Sequence, residues 1–305
     1  MNNIKIYLIL TGIMFSWGMN VTAIKTLVRY FPVITIQSLR VFFAGVVVFL
    51  ILALLKKIRK PSGSEYVYIV AGGLLNVTSH HLFLGMGLSE TSAVNGGLIL
   101  GLGPLLTALM AILFLGNRLT YIRSMGFLFG TVGILLTVLG GGKGLSGISI
   151  GDFYIFISIF TQAASFILIS KAARTMDPRL LTGYMLVFGS IVLFFIGLWL
   201  EPEGLHSIRI GSILLWSLFL GSAIVATAIG HMLYNYAVGK VGPAETSIFL
   251  NLNTFFSLVG AVVFLGEEMT VYHLFGLVFI VAGVLFGSGA LEELTLKRKS
   301  VRRAA

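Results

Sequence analysis

At 305 residues, 57% of them hydrophobic and 10% charged, with a mean hydropathy of +1.00, the chain carries more apolar surface than a water-soluble domain can hide. The absence of cysteine rules out disulfides, thiolate metal sites and cysteine nucleophiles. A net charge of +10 would suit a nucleic-acid partner if the basic residues gathered on one folded surface, but their spacing along the chain gives them a different role.

Ten apolar runs approach the ~20 residues a helix needs to cross a hydrocarbon core. In chain order they cover about 6–24, 33–55, 66–88, 92–115, 122–140, 152–170, 180–200, 211–237, 244–265 and 271–290. Little sequence remains for a soluble domain, so the chain is predicted to be an all-α integral membrane protein with ten transmembrane helices in the lipid bilayer. The first run sits where a signal peptide would, but it is long, carries Trp17 and Asn20 in its second half, and lacks a small-x-small cleavage site. It is read as the first span.

With the N-terminus inside, the cytoplasmic links and tail receive 16 of the 21 basic residues, among them Lys56, Lys57, Arg59, Lys60, Arg118, Arg123, Lys171, Arg174, Lys240 and the cluster from Lys297 to Arg303. The exterior receives Lys25, Arg29, Lys143 and Arg209, and Arg40 lies within a span. This asymmetry places both termini in the cytoplasm and accounts for the charge without nucleic acid. A cell-membrane location follows.

The stretch FLGNRLTYIRSMGFLFGTVGILL, 114–136, returns at 264–286 as FLGEEMTVYHLFGLVFIVAGVLF. Without a gap the copies share Phe114/Phe264, Leu115/Leu265, Gly116/Gly266, Thr120/Thr270, Gly126/Gly276, Phe129/Phe279, Gly133/Gly283 and Leu135/Leu285. At the same offset His81 meets His231, and with an offset of about 146 Lys25 meets Lys171 and Pro32 meets Pro178. The repeat therefore covers the chain: a first five-helix unit over 1–143, a second over 144–290, and a basic cytoplasmic tail over 291–305. Because five is odd, the second unit must enter the membrane from the opposite side. Two inverted five-helix repeats are a construction of secondary transporters, which hold their solute near the midplane between the halves.

Trp17-Gly18 in the first span, Arg40 in the second, Pro104 in the fourth, and the FLG-E-x-x-T segment followed by two spaced glycines resemble the EamA branch of the drug/metabolite transporter superfamily. The resemblance implies a ten-helix fold, a central cavity lined mainly by the first four helices of each half, and small organic metabolites as cargo. Departures from the pattern are Asn117 and Arg118 where the second half keeps Glu267, and Thr254 where the first has Pro104.

Polar groups in hydrocarbon need a partner or a wet cavity. Candidates for substrate binding are Trp17, Asn20, Gln37, Arg40, His81, Asn95, Gln162, Tyr184, His231, Asn235 and Asn251. Each has a structural alternative. Arg40 can snorkel toward the interface from about two turns inside its span, the amides can join helices, and the aromatics can anchor span ends. Inversion sets His81 toward one leaflet and His231 toward the other, as paired gates or as packing residues. His80, about 100° around the helix from His81, is not expected to share its partner, and no metal-ligand spacing is present. Asn251 and Asn253 diverge, so at most one faces a cavity squarely. Glu245 is the sole carboxylate placed to titrate partly inside a span, so coupled protons would rest on it, His81 or His231. Glu267 and Glu268 suit the positive end of the last helix, with Thr120 and Thr270 as caps. GGGKG, 140–144, lacks the phosphate-loop pattern, and the NVT triplets at Asn20 and Asn76 fall inside spans.

No cofactor is called for. The expected activity is that of a secondary transporter or facilitator, exporting an amino acid or related small organic solute by alternating access. The alternative is efflux of drugs or toxic compounds, placed ahead of an intramembrane enzyme or a membrane sensor that moves no solute. Walker-type ATP motifs are missing, and an intramembrane enzyme would need a Gly-x-Ser-x-Gly, His-Glu-x-x-His or paired-Asp motif that the sequence does not contain.

Overall fold

A computed structural model describes residues 3–116, 120–139, 149–208 and 211–287. Asn117, Arg118, Lys143 with the GGGKG stretch, Arg209 and the basic tail lie outside these residues. The described chain is helical throughout, with no strand. It contains eight helices long and apolar enough to cross a membrane and two shorter apolar ones. We number them α1 (Asn3–Tyr30), α2 (Val33–Leu54), α3 (Glu65–Glu90), α4 (Ala93–Leu115), α5 (Tyr121–Leu139), α6 (Ile150–Ala172), α7 (Pro178–Leu200), α8 (Ile213–Val241), α9 (Pro243–Leu265) and α10 (Val271–Gly287). A single turn, Gly204–Ser207, joins α7 to α8.

Helix ends follow local chemistry. Pro178 and Pro243 open α7 and α9 in the first turn, where the missing N–H costs nothing. Ser149 and Asp152 form a reciprocal capping box on α6. The FLG glycines, Gly116 and Gly266, end α4 and α9 in the left-handed region at φ 74° and 63°, a conformation that side chains with a Cβ resist. α1 runs past the expected 24 to Tyr30 because its cations are satisfied: the buried Lys25 ammonium donates to the carbonyls of Leu88 (2.6 Å) and Thr91 (2.7 Å), at the negative end of α3.

Glu267 caps a helix, but not the last one. Its two oxygens accept from the backbone N–H of Ala93 (3.0 Å) and Val94 (2.9 Å) at the start of α4, because the αL turn at Gly266 folds the chain back toward that exposed pair of donors. Thr270 caps α10, accepting from the His273 N–H at 3.4 Å.

Three pairs of helices that match in the repeat alignment pack side by side and run antiparallel. On α5 and α10, Gly126 meets Gly287, Gly130 meets Gly283 and Gly133 meets Ile280, so numbers fall on one helix as they rise on the other. The same reversal holds on α4 and α9 (Gly97 with Ser257, Gly101 with Thr254, Gly103 with Leu250) and on α2 and α7 (Gly45 with Val187, Gly183 with Val48, Gly197 with Ile34). A Cβ at Gly283 would stand 2.6 Å from the Gly130 nitrogen, so these backbones approach as only small residues allow. The core holds two large apolar clusters, one around Met14, Phe166 and Tyr234, the other around Ile24, Leu98 and Ile155, and a small third one of Met110, Ala111 and Ile167.

α3 and α8 each contain a π-helical stretch, Gly73–Ser79 and Ser222–Gly230, that ends at the histidines His80 and His231. α4 is interrupted at Gly101 and Leu102, just before Pro104, and α9 at Phe249. π turns and breaks shift side-chain register and free backbone groups, and they gather at functional sites.

Candidate functional site

Where the two large clusters meet, a small cavity, with about 40 Å³ of room for water-sized solutes in this conformation, is walled by α1, α3, α4, α6, α8 and α9. Trp17, Asn20, His80, His81, Gln162, His231 and Asn253 supply its polar and aromatic surface, and Val21, Ile24, Leu84, Leu100, Ile159 and Leu250 its apolar surface. The Trp17 ring packs at a tilt against His231 and Tyr234, with centroids 4.8 and 4.9 Å apart. Its Nε1–H donates to the Ala226 carbonyl at 2.7 Å, in the π segment of α8. Gly18 allows α1 to lie against Asn253 and Phe256 of α9.

The three histidines converge. Ring centroids are 4.8 Å apart for His80 and His81, 5.5 Å for His81 and His231, and 6.4 Å for His80 and His231. His81 and His231 thus meet at one point rather than standing toward opposite leaflets, because equivalent residues near the centre of two crossing helices end up face to face. His80 and His81 do take different partners, yet both rings reach the cavity: an imidazole is long enough to bridge the angle between neighbouring helix positions.

Hydrogen bonds fix the proton on each ring. Arg40 Nη2 donates to His81 Nδ1 at 3.1 Å, and since a guanidinium has no acceptor, the neutral His81 carries its hydrogen on Nε2. His231 Nδ1 lies 3.2 Å from the Thr227 carbonyl, so Nδ1 is the donor and Nε2 the lone pair. His80 Nδ1 lies 2.8 Å from Ser158 Oγ, whose own proton goes to the His80 carbonyl. His80 Nε2 therefore accepts, from the Gln162 amide at 3.1 Å. The Nε2 atoms of His81 and His231 have no partner, nor do the carbonyl oxygens of Asn20 and Asn253.

Side-chain nitrogens of the three histidines lie within 4.8 Å of one another, so a cation site has to be weighed. Only His80 and His231 present lone pairs in this arrangement. His81 presents a proton, with a guanidinium directly behind it. The donor set suits hydrogen bonding to a polar solute better than metal ligation.

The sequence profile of the EamA-like transporter family matches residues 4–139 and again 149–288. The chain belongs to the EamA-like transporter family. It is 30% identical over 299 residues, 96% of each chain, to the uncharacterized transporter YyaM of Bacillus subtilis strain 168. It is also 30% identical over 194 residues, 59% of this chain and 65% of the other, to the aromatic amino acid exporter YddG of Escherichia coli K12. A crystal structure covering 95% of this chain and 98% of its own shares the fold at a TM-score of 0.66 with 17% identity.

Within this EamA-like fold, Trp17, Asn20, His81, Gln162 and His231 line the cavity. Arg40 and Gln37 stand directly behind His81. Arg40 is wholly buried and does not snorkel. Its Nε donates to Gln37 (2.8 Å) and its Nη1 to Ser222 (3.0 Å) and Thr227 (2.6 Å), hydroxyls that draw the head inward. Gln37 Nε2 donates to the His81 carbonyl at 3.2 Å.

The other candidates sit elsewhere. Asn95 is in the first turn of α4 and bonds Asp152 (3.3 Å). The Tyr184 hydroxyl donates to the Arg59 carbonyl (2.9 Å) beyond the end of α2. Asn235 is tied to Thr182 of α7 (2.9 Å), and Asn251 turns back to the Ile248 carbonyl (2.8 Å) at the break in α9. Of the divergent pair, Asn253 faces the cavity. Glu245 is outside its lining and accepts from the Tyr7 hydroxyl. His80 and Asn253 line the cavity although neither is among the sequence-predicted binding residues, and Ser222 and Thr227 join the site as partners of Arg40. The i, i+3 spacing of Gln37 and Arg40 was the available sign of a shared polar face on α2, whereas nothing local marks Ser222 and Thr227 as its partners.

Proposed function

We propose that the protein is a secondary transporter or facilitator in which two inverted five-helix repeats, 1–143 and 144–290, alternate access to the cavity at Trp17, Asn20, His80, His81, Gln162, His231 and Asn253. The observation that carries this reading is the antiparallel packing of three repeat-matched helix pairs, of which α4 and α9 help to wall the cavity. Inversion lets one site be served by similar inner and outer gates. Broken α4 and α9 and the π stretches of α3 and α8 supply places where backbone can flex beside a cavity without facing lipid. The cargo is a small organic metabolite, an amino acid or related compound moving outward. The Trp17 ring and the aliphatic side chains of Val21, Ile24, Leu84 and Ile159 offer an apolar face, the unpartnered amides and imidazoles offer polar contacts, and the partial relative named as an aromatic amino acid exporter points the same way. Both termini lie in the cytoplasm of a cell-membrane protein, as the basic residues direct.

Counterflow in proteoliposomes loaded with unlabelled amino acids tests the reading. Labelled phenylalanine, tryptophan and a panel of aliphatic amino acids should accumulate transiently above the level of protein-free vesicles for at least one of them. Fluxes equal to protein-free vesicles across the panel and across a matched set of uncharged metabolites and drugs would remove transport as the function. Reporter fusions after Lys60, Lys143 and Arg303 should read inside, outside and inside. Termini on opposite sides would remove the inverted repeat.

A further inference from the structure

Arg40 is a buried cation with neutral neighbours. Its four hydrogen bonds go to Gln37, Ser222, Thr227 and His81. The ion pairs found among the described residues, Lys57 with Asp177, Arg59 with Glu65 and Arg179 with Asp177, all sit at helix ends. The described acidic residues as a whole, including Asp152, Glu245 and Glu267, occupy helix ends or links. A charge removed from water without a counter-charge is costly and is retained where it serves a ligand or a switch. Here it stands one imidazole away from the cavity.

We propose that the cavity takes an anionic cargo, an organic carboxylate, whose oxygen accepts from His81 Nε2–H while Arg40 behind the ring supplies the missing counter-charge. The inference rests on the transporter reading and adds the chemical class of the cargo. Arg40 does two things at once. By donating to Nδ1 it forces the His81 proton onto Nε2, a buried atom with no partner in the protein on a residue that lines the cavity. By polarising the ring along that same hydrogen-bond line it makes Nε2–H a stronger donor to a negative oxygen.

The neighbouring lining residues complement this donor: His231 Nε2 and the side-chain oxygens of Asn20 and Asn253 are unpartnered acceptors. A cargo with a carboxylate at one end and N–H or O–H donors at the other satisfies both. A lipophilic cation of the kind expelled by many drug pumps would place its charge against Arg40 in a medium of low dielectric, so the site discriminates against it.

The test uses the full chain with nitrogen-15-labelled histidine in lipid nanodiscs. The probes are acetate, acetamide and methylammonium, small molecules of matched size that differ in charge. Side-chain nitrogen shifts report which ring nitrogen holds the proton. His81 should carry it on Nε2 and His80 and His231 on Nδ1. Acetate should shift the His81 Nε2–H signal saturably, and acetamide and methylammonium should not compete with it. His81→Asn, whose Oδ1 can still accept from Arg40 but whose amide hydrogens end near the ring's Cδ2 position and fall short of the Nε2 one, should remove the assigned signal and weaken the acetate response at His231 at least about tenfold. A His81 proton on Nδ1 overturns the proposal, as does equal response to all three probes, or an undiminished acetate response in His81→Asn. Flux of neutral solutes with no acetate response would sink the anion site and leave the transporter reading standing. An acetate response without flux of any solute would do the reverse.

Discussion

Glu267 joins the link after α9 to the first turn of α4, and replacing it by Gln isolates the charge with little change in shape. In the native protein one carboxylate accepts from two amides, Ala93 and Val94, at 3.0 and 2.9 Å. Each charge-assisted bond contributes about 1.5–3 kcal/mol when well buried, and a negative charge at a helix N-terminus adds about 0.3–1 kcal/mol. Glutamine keeps one neutral bond, worth about 0.5–1.5 kcal/mol, and turns its amide hydrogens toward the other donor. Glu267 is only half-buried, so screening puts Glu267→Gln at the lower end, a loss of about 1–2 kcal/mol. Titration of the purified protein with SDS in mixed micelles, followed by tryptophan fluorescence, measures the global effect. Hydrogen exchange at Ala93 and Val94 measures the local one and should accelerate roughly 5–30-fold. The exposed neighbour Glu268 is the control. If Glu267→Gln and Glu268→Gln unfold alike and the two amides exchange at the native rate, the carboxylate does not cap α4.

Trp17→Phe keeps a ring beside His231 and Tyr234 but removes the donor to Ala226, at a cost of about 0.5–1.5 kcal/mol; initial rates in proteoliposomes should fall several-fold while membrane insertion, read by detergent extraction, stays native. In this cysteine-free chain, single cysteines at Asn20 and Gln162 should react with an impermeant thiol reagent in the outward-open state and be protected by cargo. One at Asn235, tied to Thr182 behind the cavity wall, should stay unreactive; the reverse pattern would relocate the site. Asp177 caps α7 and pairs with Arg179 and Lys57. Burial pushes its carboxyl up, but these partners outweigh burial and hold it below its usual value. A lowered folded pKa stabilises above the unfolded value of about 3.9 and ceases to as pH falls through the folded one. The stability gap between native and Asp177→Asn should thus be under about 1 kcal/mol at neutral pH, given partial exposure, and close below about pH 4; a gap that is constant down to pH 3 refutes it.

Apolar run length was enough to locate the eight long apolar helices and the two shorter ones among the described residues, since lipid leaves the backbone no alternative partner, and the FLG glycines marked two helix ends through their conformation. The ends at Tyr30 and at the breaks in α4 and α9 were not legible. The first depends on Lys25 reaching carbonyls more than sixty residues away, and the breaks depend on packing across the repeat. The site was half legible. Trp17, Asn20, His81, Gln162 and His231 stand out as polar or aromatic residues in apolar runs, but Asn95, Asn235 and Asn251 look the same and are spent on helix joints. Helical periodicity fixes an angle around one axis, whereas which neighbour occupies that angle is set by the crossing of two helices. The π stretches compound this, because they rotate everything after them relative to a regular helix.

That rotation makes the site sensitive to length rather than to composition. Each π stretch carries a surplus residue in its turn, so losing one residue from 73–79 or from 222–230 and relaxing to regular α winding leaves the helix before and after it nearly in its original register. A one-residue deletion in the regular winding that follows, within 82–90 or 232–241, has no such reserve and turns the chain before it by about 100° relative to the chain after it. Substitutions along α3 and α8 can be absorbed one contact at a time, but such a deletion would carry His81 or His231 away from its place against the end of its own helix while leaving the hydropathy profile almost unchanged.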